Sequence, residues 1–388
     1  MGNRRLSHPT ERALCHILYV AYPLLPVSSE SCGGAEQMLA ALEAEMSARG
    51  HCTTVAACAG SRASGTVLVT GNESSEADRL AERNAEHEAR IIGMLRQNGG
   101  SRPAFDLIHD KSGSFWRREC EVPVLATLHL PRHFYPAEAF ESVPRNVYFN
   151  CVSHSQALTF GDLDSVMGVV RNGIRVGQFP FKLEKQDYLL WMGRVCEEKG
   201  AHIAIEVAQR TGLPLVLAGQ VYPFSYHQNY YNERVRPYLG KSRVSFFETP
   251  TLETKTRLLA NARALLVPSL VDETSSLVAM EAMACGTPVI GFRRGAIPEV
   301  IIDRVTGYVV ENAEEMAEAV CQAGEINPHA CRVHVESNYS AQRMAREYEK
   351  LYHVVLQFEV DGGPPRRLKQ IPRYARNDKR RPPGSRAA

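Results

Sequence analysis

The segment Val271-Asp-Glu-Thr-Ser-Ser-Leu-Val-Ala-Met-Glu-Ala-Met-Ala-Cys-Gly-Thr-Pro-Val-Ile-Gly-Phe292 sets two carboxylates, Glu273 and Glu281, around the start of a helix. The run before it, Ala264-Leu-Leu-Val-Pro268, is short, apolar and closed by proline, as suits a strand buried on both faces. Ser275 and Ser276 can cap a helix that begins near Leu277, and Gly286 can end it in the left-handed conformation that glycine adopts without strain. Thr287-Pro-Val-Ile-Gly291 reads as the next strand. In such a strand-helix-strand unit, ligands bind at the carboxyl ends of the strands. The helix start offers unpaired N–H groups and partial positive charge to an anion, while the flanking carboxylates accept from vicinal hydroxyls. A ligand that is both phosphate and polyol fits, and a nucleotide sugar is one.

Strand-like and helix-like runs alternate in both halves of the chain. His16–Ala21, Asp106–His109, Val124–Leu128, Val147–Val152 and Val166–Val170 read as strands, with a helix over Ala35–Arg49 that follows Gly33 and Gly34, and a charged helix over Ser74–Gln97. The pattern restarts at Tyr188–Met192 and runs through a helix Ala201–Gln209, strands Pro214–Ala218 and Val244–Phe247, and a helix Leu252–Ala260, before the acidic segment. Two doubly wound α/β halves follow from this, with the changeover over Val176–Asp187. The 388 residues, 44% of them hydrophobic, suffice for two cores.

Lys and Arg total 45 against 43 Asp and Glu, a net charge of +2, which excludes a nucleic-acid binder dominated by phosphate contacts. Basic residues crowd the Pro-rich end, from Arg366 to Arg386, and a disordered tail over residues 359–388 is expected there, suited to peripheral attachment to an anionic membrane. The 10 cysteines have no Cys-x-x-Cys pair or regular spacing, so neither a disulfide framework nor a zinc site is indicated, and a reducing cytoplasm fits best. The apolar stretch Ile17–Leu25 is too short, and too interrupted by Pro23, to span a membrane.

Glu281-Ala-Met-Ala-Cys-Gly-Thr-Pro-Val-Ile290, preceded by Glu273, resembles the acidic motif of the retaining, family-4 glycosyltransferases of the GT-B fold. Trp191-Met-Gly-Arg-Val-Cys-Glu-Glu-Lys-Gly200 resembles the same family's G-R-x-x-x-x-K-G, and weaker matches fall in order at Gly33–Glu36, Thr127–His129, Val152–Gln156, Arg171–Ile174 and Tyr339–Tyr352, so the resemblance covers His16 to Leu356. It implies two Rossmann-like domains facing across a cleft: an acceptor-side domain over 1–178, to which a C-terminal helix over 339–358 returns, and a donor domain over 179–338. It also implies transfer of a hexose from a nucleoside diphosphate sugar to a hydroxyl acceptor, with retention and with neither metal nor cofactor.

On that resemblance Arg194 and Lys199 bind the donor diphosphate, Glu273 meets the sugar, Glu281 the ribose, and His129 steadies the sugar near the reacting carbon; Gly33, Gly34, Ser276 and Leu277 complete the donor site. The ordinary readings are surface cations beside Glu197 and Glu198, a solvated acidic loop, a surface Glu, a satisfied core histidine and a plain glycine turn. Where the family often has glycines, this chain has Thr274-Ser-Ser276, which bears on the sugar more than on the reaction class. Asp162-Leu-Asp164 has metal-binding spacing but follows a helix-like run, so a solvated loop is expected, and the aromatic cluster Tyr222–Tyr231 suits either sugar stacking or the packing of an insertion. The alternatives are another nucleotide-sugar enzyme of this fold, such as a 2-epimerase, and a non-catalytic sugar-nucleotide-binding module.

Overall fold

The computed structural model describes residues 14–29, 31, 33–72, 79–97, 103–161, 163, 165–241 and 243–361. Its first sheet holds β1 (His16–Val20), β2 (Cys52–Cys58), β3 (Thr66–Gly71), β4 (Leu107–Asp110), β5 (Val124–Leu128), β6 (Val147–Cys151) and β7 (Val166–Val169). The second holds β8 (Leu189–Arg194), β9 (Leu215–Gln220), β10 (Val244–Glu248), β11 (Ala264–Val267), β12 (Val289–Phe292) and β13 (Gly307–Val310). Helices α1 (Gly34–Ala48), α2 (Leu80–Gln97) and α3 (His154–Phe160) belong to the first part, followed by α4 (Ala201–Thr211), α5 (Ser225–Tyr230), α6 (Leu252–Asn261) and α7 (Leu277–Ala284). The described residues close with α8 (Ile297–Val300), α9 (Ala313–Gln322), α10 (Pro328–Asn338) and α11 (Ala341–Asp361).

Both sheets are wholly parallel, which explains the near-continuous apolar runs of β1, β5 and β11, whose residues are buried or nearly so from end to end. The strand orders are β3-β2-β1-β4-β5-β6-β7 and β10-β9-β8-β11-β12-β13, one winding used twice. This is the GT-B arrangement of two Rossmann-like domains. In each sheet the order reverses beside the first strand, between β1 and β4 and between β8 and β11, the place where sheets of this kind can bind a ligand.

The last helix, α11, packs on the first sheet. Arg49 Nη1 and His51 Nε2 meet the Glu349 carboxylate at 3.0 and 3.4 Å. Deeper in, His109 Nδ1 lies 2.6 Å from the Tyr352 hydroxyl and its Nε2 lies 2.8 Å from Thr127 Oγ1, while the buried Lys111 amine donates to the Tyr348 hydroxyl at 3.1 Å. His109, Thr127, Lys111, Tyr348 and Tyr352 are buried and bonded, as a low-dielectric interior demands. Two further hydrogen-bonded links join the domains. The Glu299 carboxylate accepts from the backbone N–H groups of His154 and Ser155 at 3.0 and 2.6 Å, capping α3 from the other domain. The Thr274 hydroxyl donates to the His129 carbonyl at 2.8 Å.

Candidate functional site

The loops that leave β8 and β11 flank the reversal point of the second sheet, and both carry charge. Arg194 ends β8 with its side chain half exposed, and its nearest carboxylate, Glu198, is 4.0 Å away. Lys199 closes a short turn that Gly200 ends at φ +69; a Cβ there would lie 2.2 Å from the Pro268 carbonyl, so only glycine lets the two loops touch. Trp191 Nε1 donates to the Lys199 carbonyl at 2.9 Å, and Leu270 N–H donates to that of Glu198 at 2.8 Å, fixing the turn.

The Lys199 amine donates to Glu273 Oε1 at 2.6 Å, and the Ser269 hydroxyl donates to the same oxygen. The backbone of Glu273 is held as well: its carbonyl accepts from Ala296 N–H at 2.6 Å, beside Gly295 at φ +53, where any Cβ would collide with it. Glu281 lies within α7, only 3% exposed, and its Oε1 accepts from Lys255 of α6 at 2.5 Å. The pair satisfies the buried charge, yet a carboxylate has about four lone-pair positions, so Lys255 does not exhaust it. No motif marks Lys255, which sequence reading leaves as one cation on an ordinary helix.

The serines behave differently from the sequence expectation. Ser276 occupies the N-cap position of α7, but its side chain makes no capping hydrogen bond, and the Ser275 hydroxyl is buried without a partner. Their failure to cap leaves the first N–H groups of α7 without a side-chain acceptor, as an anion site requires. Thr274, where the sequence departs from the usual glycines, is the residue that bridges to His129 across the domains. Gly286 does end α7 as expected, at φ +78.

Arg194, Lys199, Glu273, Ser276, Leu277 and Glu281 line one cavity of about 330 Å³ between the domains, whose far wall includes Ser29, Ser31, Gly34 and Gln37. Its size lies within the range of small-ligand sites. The starts of α1 and α7 meet across it: a Cβ on Gly34 would sit 2.9 Å from Leu277 Cδ1. Gly33, the N-cap of α1, lies just outside the cavity wall, where a Cβ would strike the buried Glu36 carboxylate.

His129 is also outside the cavity wall. It follows β5, with Nε2 buried and unpartnered, and burial together with the nearby Lys111 cation lowers its pKa to about 3, so the imidazole is neutral at physiological pH. The aromatic cluster divides: Tyr222 lines the cavity, Tyr230 is buried and bonded to His202, and Tyr226 is exposed. Ser153 caps α3, accepting from Gln156 N–H at 3.2 Å, the ordinary use of a serine there. Asp162, Asp164 and the basic tail lie outside the described residues. Among those described, no helix is long and apolar enough to cross a membrane.

Residues 178–334 match the family described as glycosyl transferases group 1. The D-inositol 3-phosphate glycosyltransferase of Corynebacterium efficiens is 28% identical over 192 residues, 46% of this chain and 45% of that protein. The glycogen synthase of Mycobacterium tuberculosis is 26% identical over 266 residues, 60% of this chain and 63% of that one. The matches thus span about half to under two thirds of these relatives' length. Among solved structures, a Thermosynechococcus elongatus sucrose-phosphate synthase has a TM-score of 0.72 at 19% identity, covering 88% of this chain and 99% of its own. A glycosyltransferase involved in avilamycin A biosynthesis has 0.68 at 23%, covering 88% and 98%. Anabaena HepE, solved with UDP-glucose, has 0.66 at 15%, covering 88% and 100%. At these identities the structures speak for the fold. Residues 178–334, the part similar to the glycosyl transferases group 1 family, are the part that carries Arg194, Lys199, Glu273 and Glu281.

Proposed function

We propose that this protein is a retaining glycosyltransferase that moves a hexose from a nucleoside diphosphate sugar to a hydroxyl acceptor. The observation that carries the reading is convergence: three cations (Arg194, Lys199 and Lys255), two carboxylates and an uncapped helix start line one interdomain cavity. Such a set matches a ligand with a diphosphate at its middle and hydroxyls at both ends. Relatives and neighbours support the class, since they include glycosyltransferases, and HepE was solved with UDP-glucose.

In this reading Arg194 and Lys199 hold the diphosphate, with the N–H groups of α7 behind it. Glu273 meets hydroxyls of the sugar and Glu281 those of the ribose. The bond from the anomeric carbon to the diphosphate breaks while the acceptor oxygen bonds to the same face of that carbon. The acceptor proton passes to the departing phosphate oxygen. Charge on the diphosphate grows as the bond breaks, so the two cations stabilise the transition state more than the ground state. They neutralise developing charge that a magnesium ion neutralises in other phosphate enzymes. Neutral His129 steadies the sugar once the domains close, and closure excludes water from the reacting carbon.

The test is a panel of UDP, GDP and ADP hexoses against glycan, lipid and small-molecule acceptors, with proton NMR of the first product. Transfer with the donor's α configuration kept is the expected result. An inverted product would overturn the retaining mechanism. A 2-epimerised nucleotide sugar, or binding without turnover on every acceptor, would transfer the assignment to one of the two rival readings.

A further inference from the structure

Among the described residues one group has the composition of a metal site: Cys196, Glu198 and His227, with one ligand atom from each lying within 4.8 Å of the others. None of the three lines the cleft cavity. Cys196 and His227 are fully buried, and neither ring nitrogen of His227 has a hydrogen-bond partner. A buried imidazole with two idle nitrogens is costly, because each forgoes the water it would bond in the unfolded chain. Ring packing explains its location, since Tyr226, Phe224 and Tyr222 surround it at centroid distances of 4.2, 5.4 and 5.9 Å, but gives its nitrogens nothing.

We infer that Cys196, Glu198 and His227 form a binding site for a thiophilic divalent cation of the zinc class. Thiolate, imidazole and carboxylate are the three donor types that zinc accepts, and a tetrahedral ion at about 2.0–2.3 Å from each needs ligands about 3.3–3.8 Å apart. The ligand atoms already lie within 4.8 Å of one another, and Glu198, the partly exposed member, is the one with room to move inward. A Cys-x-x-Cys search does not find the site, because two ligands alternate on the β8–α4 turn and the third arrives from α5, about thirty residues later. A cation there would tie α5 to the turn that bears Arg194 and Lys199. It would also hold Glu198 on the metal, away from the Arg194 guanidinium now 4.0 Å from it. The site is separate from the proposed donor chemistry and does not depend on it.

The test is metal binding by the full-length protein, freed of metal with chelator and titrated with Zn2+ in a calorimeter, then with Co2+ in a spectrophotometer. One equivalent of Zn2+ should bind and raise the melting temperature, and Co2+ should give the thiolate charge-transfer band. Cys196→Ser and His227→Gln should abolish that band. Should either fail to fold, Glu198→Gln, at a partly exposed position, should still fold and bind Zn2+ about tenfold or more weakly. The exposed Cys52 and Cys321 are the obvious adventitious ligands, and the Cys52→Ser/Cys321→Ser variant should bind as wild type does. Absence of stoichiometric binding, affinity unchanged in Glu198→Gln, or binding lost in the double serine variant would each overturn the assignment.

Discussion

The two sheets are wound in the same order, yet their reversal points are used in opposite ways. In the second domain, the loops after β8 and β11 carry Lys199 and Glu273 into an open cavity, where they hold each other at 2.6 Å. In the first, the polar groups at the ends of β4 and β5 are sealed: His109, Lys111 and Thr127 are buried and bonded to Tyr348 and Tyr352 of α11. The same topology thus yields a charged site where the strand ends stay open, and a polar core where a returning helix covers them. What the first domain gives to the cavity is mostly backbone and small polar residues, at Ser29, Ser31 and Gly34.

The contrast can be broken by substitution, because the second reversal point should answer in activity and the first in stability. Arg194→Ala should show the largest effect, a loss of turnover of about a hundredfold, on the order of 3 kcal/mol, in initial-rate assays. Its side chain is half exposed with only a 4.0 Å contact to Glu198, so the urea midpoint should stay where it is. Conversely, Tyr352→Phe leaves His109 Nδ1 without its 2.6 Å partner and should cost about 1–3 kcal/mol in urea unfolding, while KM for the donor stays within twofold of wild type. A Tyr352→Phe protein that is stable but inactive would merge the two roles and contradict the comparison.

Glu281→Gln should sharpen it further. Loss of the charge opposite Lys255 should weaken donor binding about tenfold, roughly 1.4 kcal/mol by calorimetry, with turnover at saturating donor little changed. A smaller effect is expected of Thr274→Val, which removes the 2.8 Å bond to the His129 carbonyl that links the domains. Its net worth is about 1 kcal/mol, seen as a several-fold rise in donor KM that Thr274→Ser reverses.

Most of the frame was legible from sequence. The strands β1, β5, β8 and β11 are apolar runs with clear boundaries, and Gly286 marks a helix end whose φ of +78 only glycine takes without strain. β2, β3 and β13 escaped notice. β2 is Cys-Thr-Thr-Val-Ala-Ala-Cys, made of small residues whose burial comes from the sheets and helices around them, and β3 is a partly exposed edge strand without strict alternation. In the site, Glu273, Glu281, Arg194 and Lys199 stand out because fixed spacing links them within two short segments. Lys255 and Ser269 do not, and Thr274 is noticed only as a departure from the family's glycines, since each acts through a partner that only the fold brings near. Serines before a helix suggest caps, and here they leave the N–H groups of α7 uncapped by any side chain, a reversal that local sequence gives no hint of.

The mildest expected effect is a dependence of stability on pH. His87, His109 and His129, all in the first domain, have pKa values lowered by burial, to about 4 for His87 and about 3 for His129. The unfolded chain therefore takes up protons first, so their stabilisation is present above about pH 6.5 and is lost as pH falls toward the folded values. Urea midpoints at pH 7 and pH 5 should fall for the wild type, and should fall less for His87→Gln. An equal fall in both would remove His87 from this dependence.

The claim that the open reversal point of the second sheet is a diphosphate site is tested most directly by calorimetric titration of UDP, GDP and ADP into the wild type, Arg194→Ala and Tyr352→Phe. One of the three should bind the wild type with unit stoichiometry, bind Tyr352→Phe within about twofold, and bind Arg194→Ala about tenfold or more weakly, a difference of roughly 1.4 kcal/mol. Equal affinity for wild type and Arg194→Ala, or no binding of any nucleoside diphosphate, would contradict it.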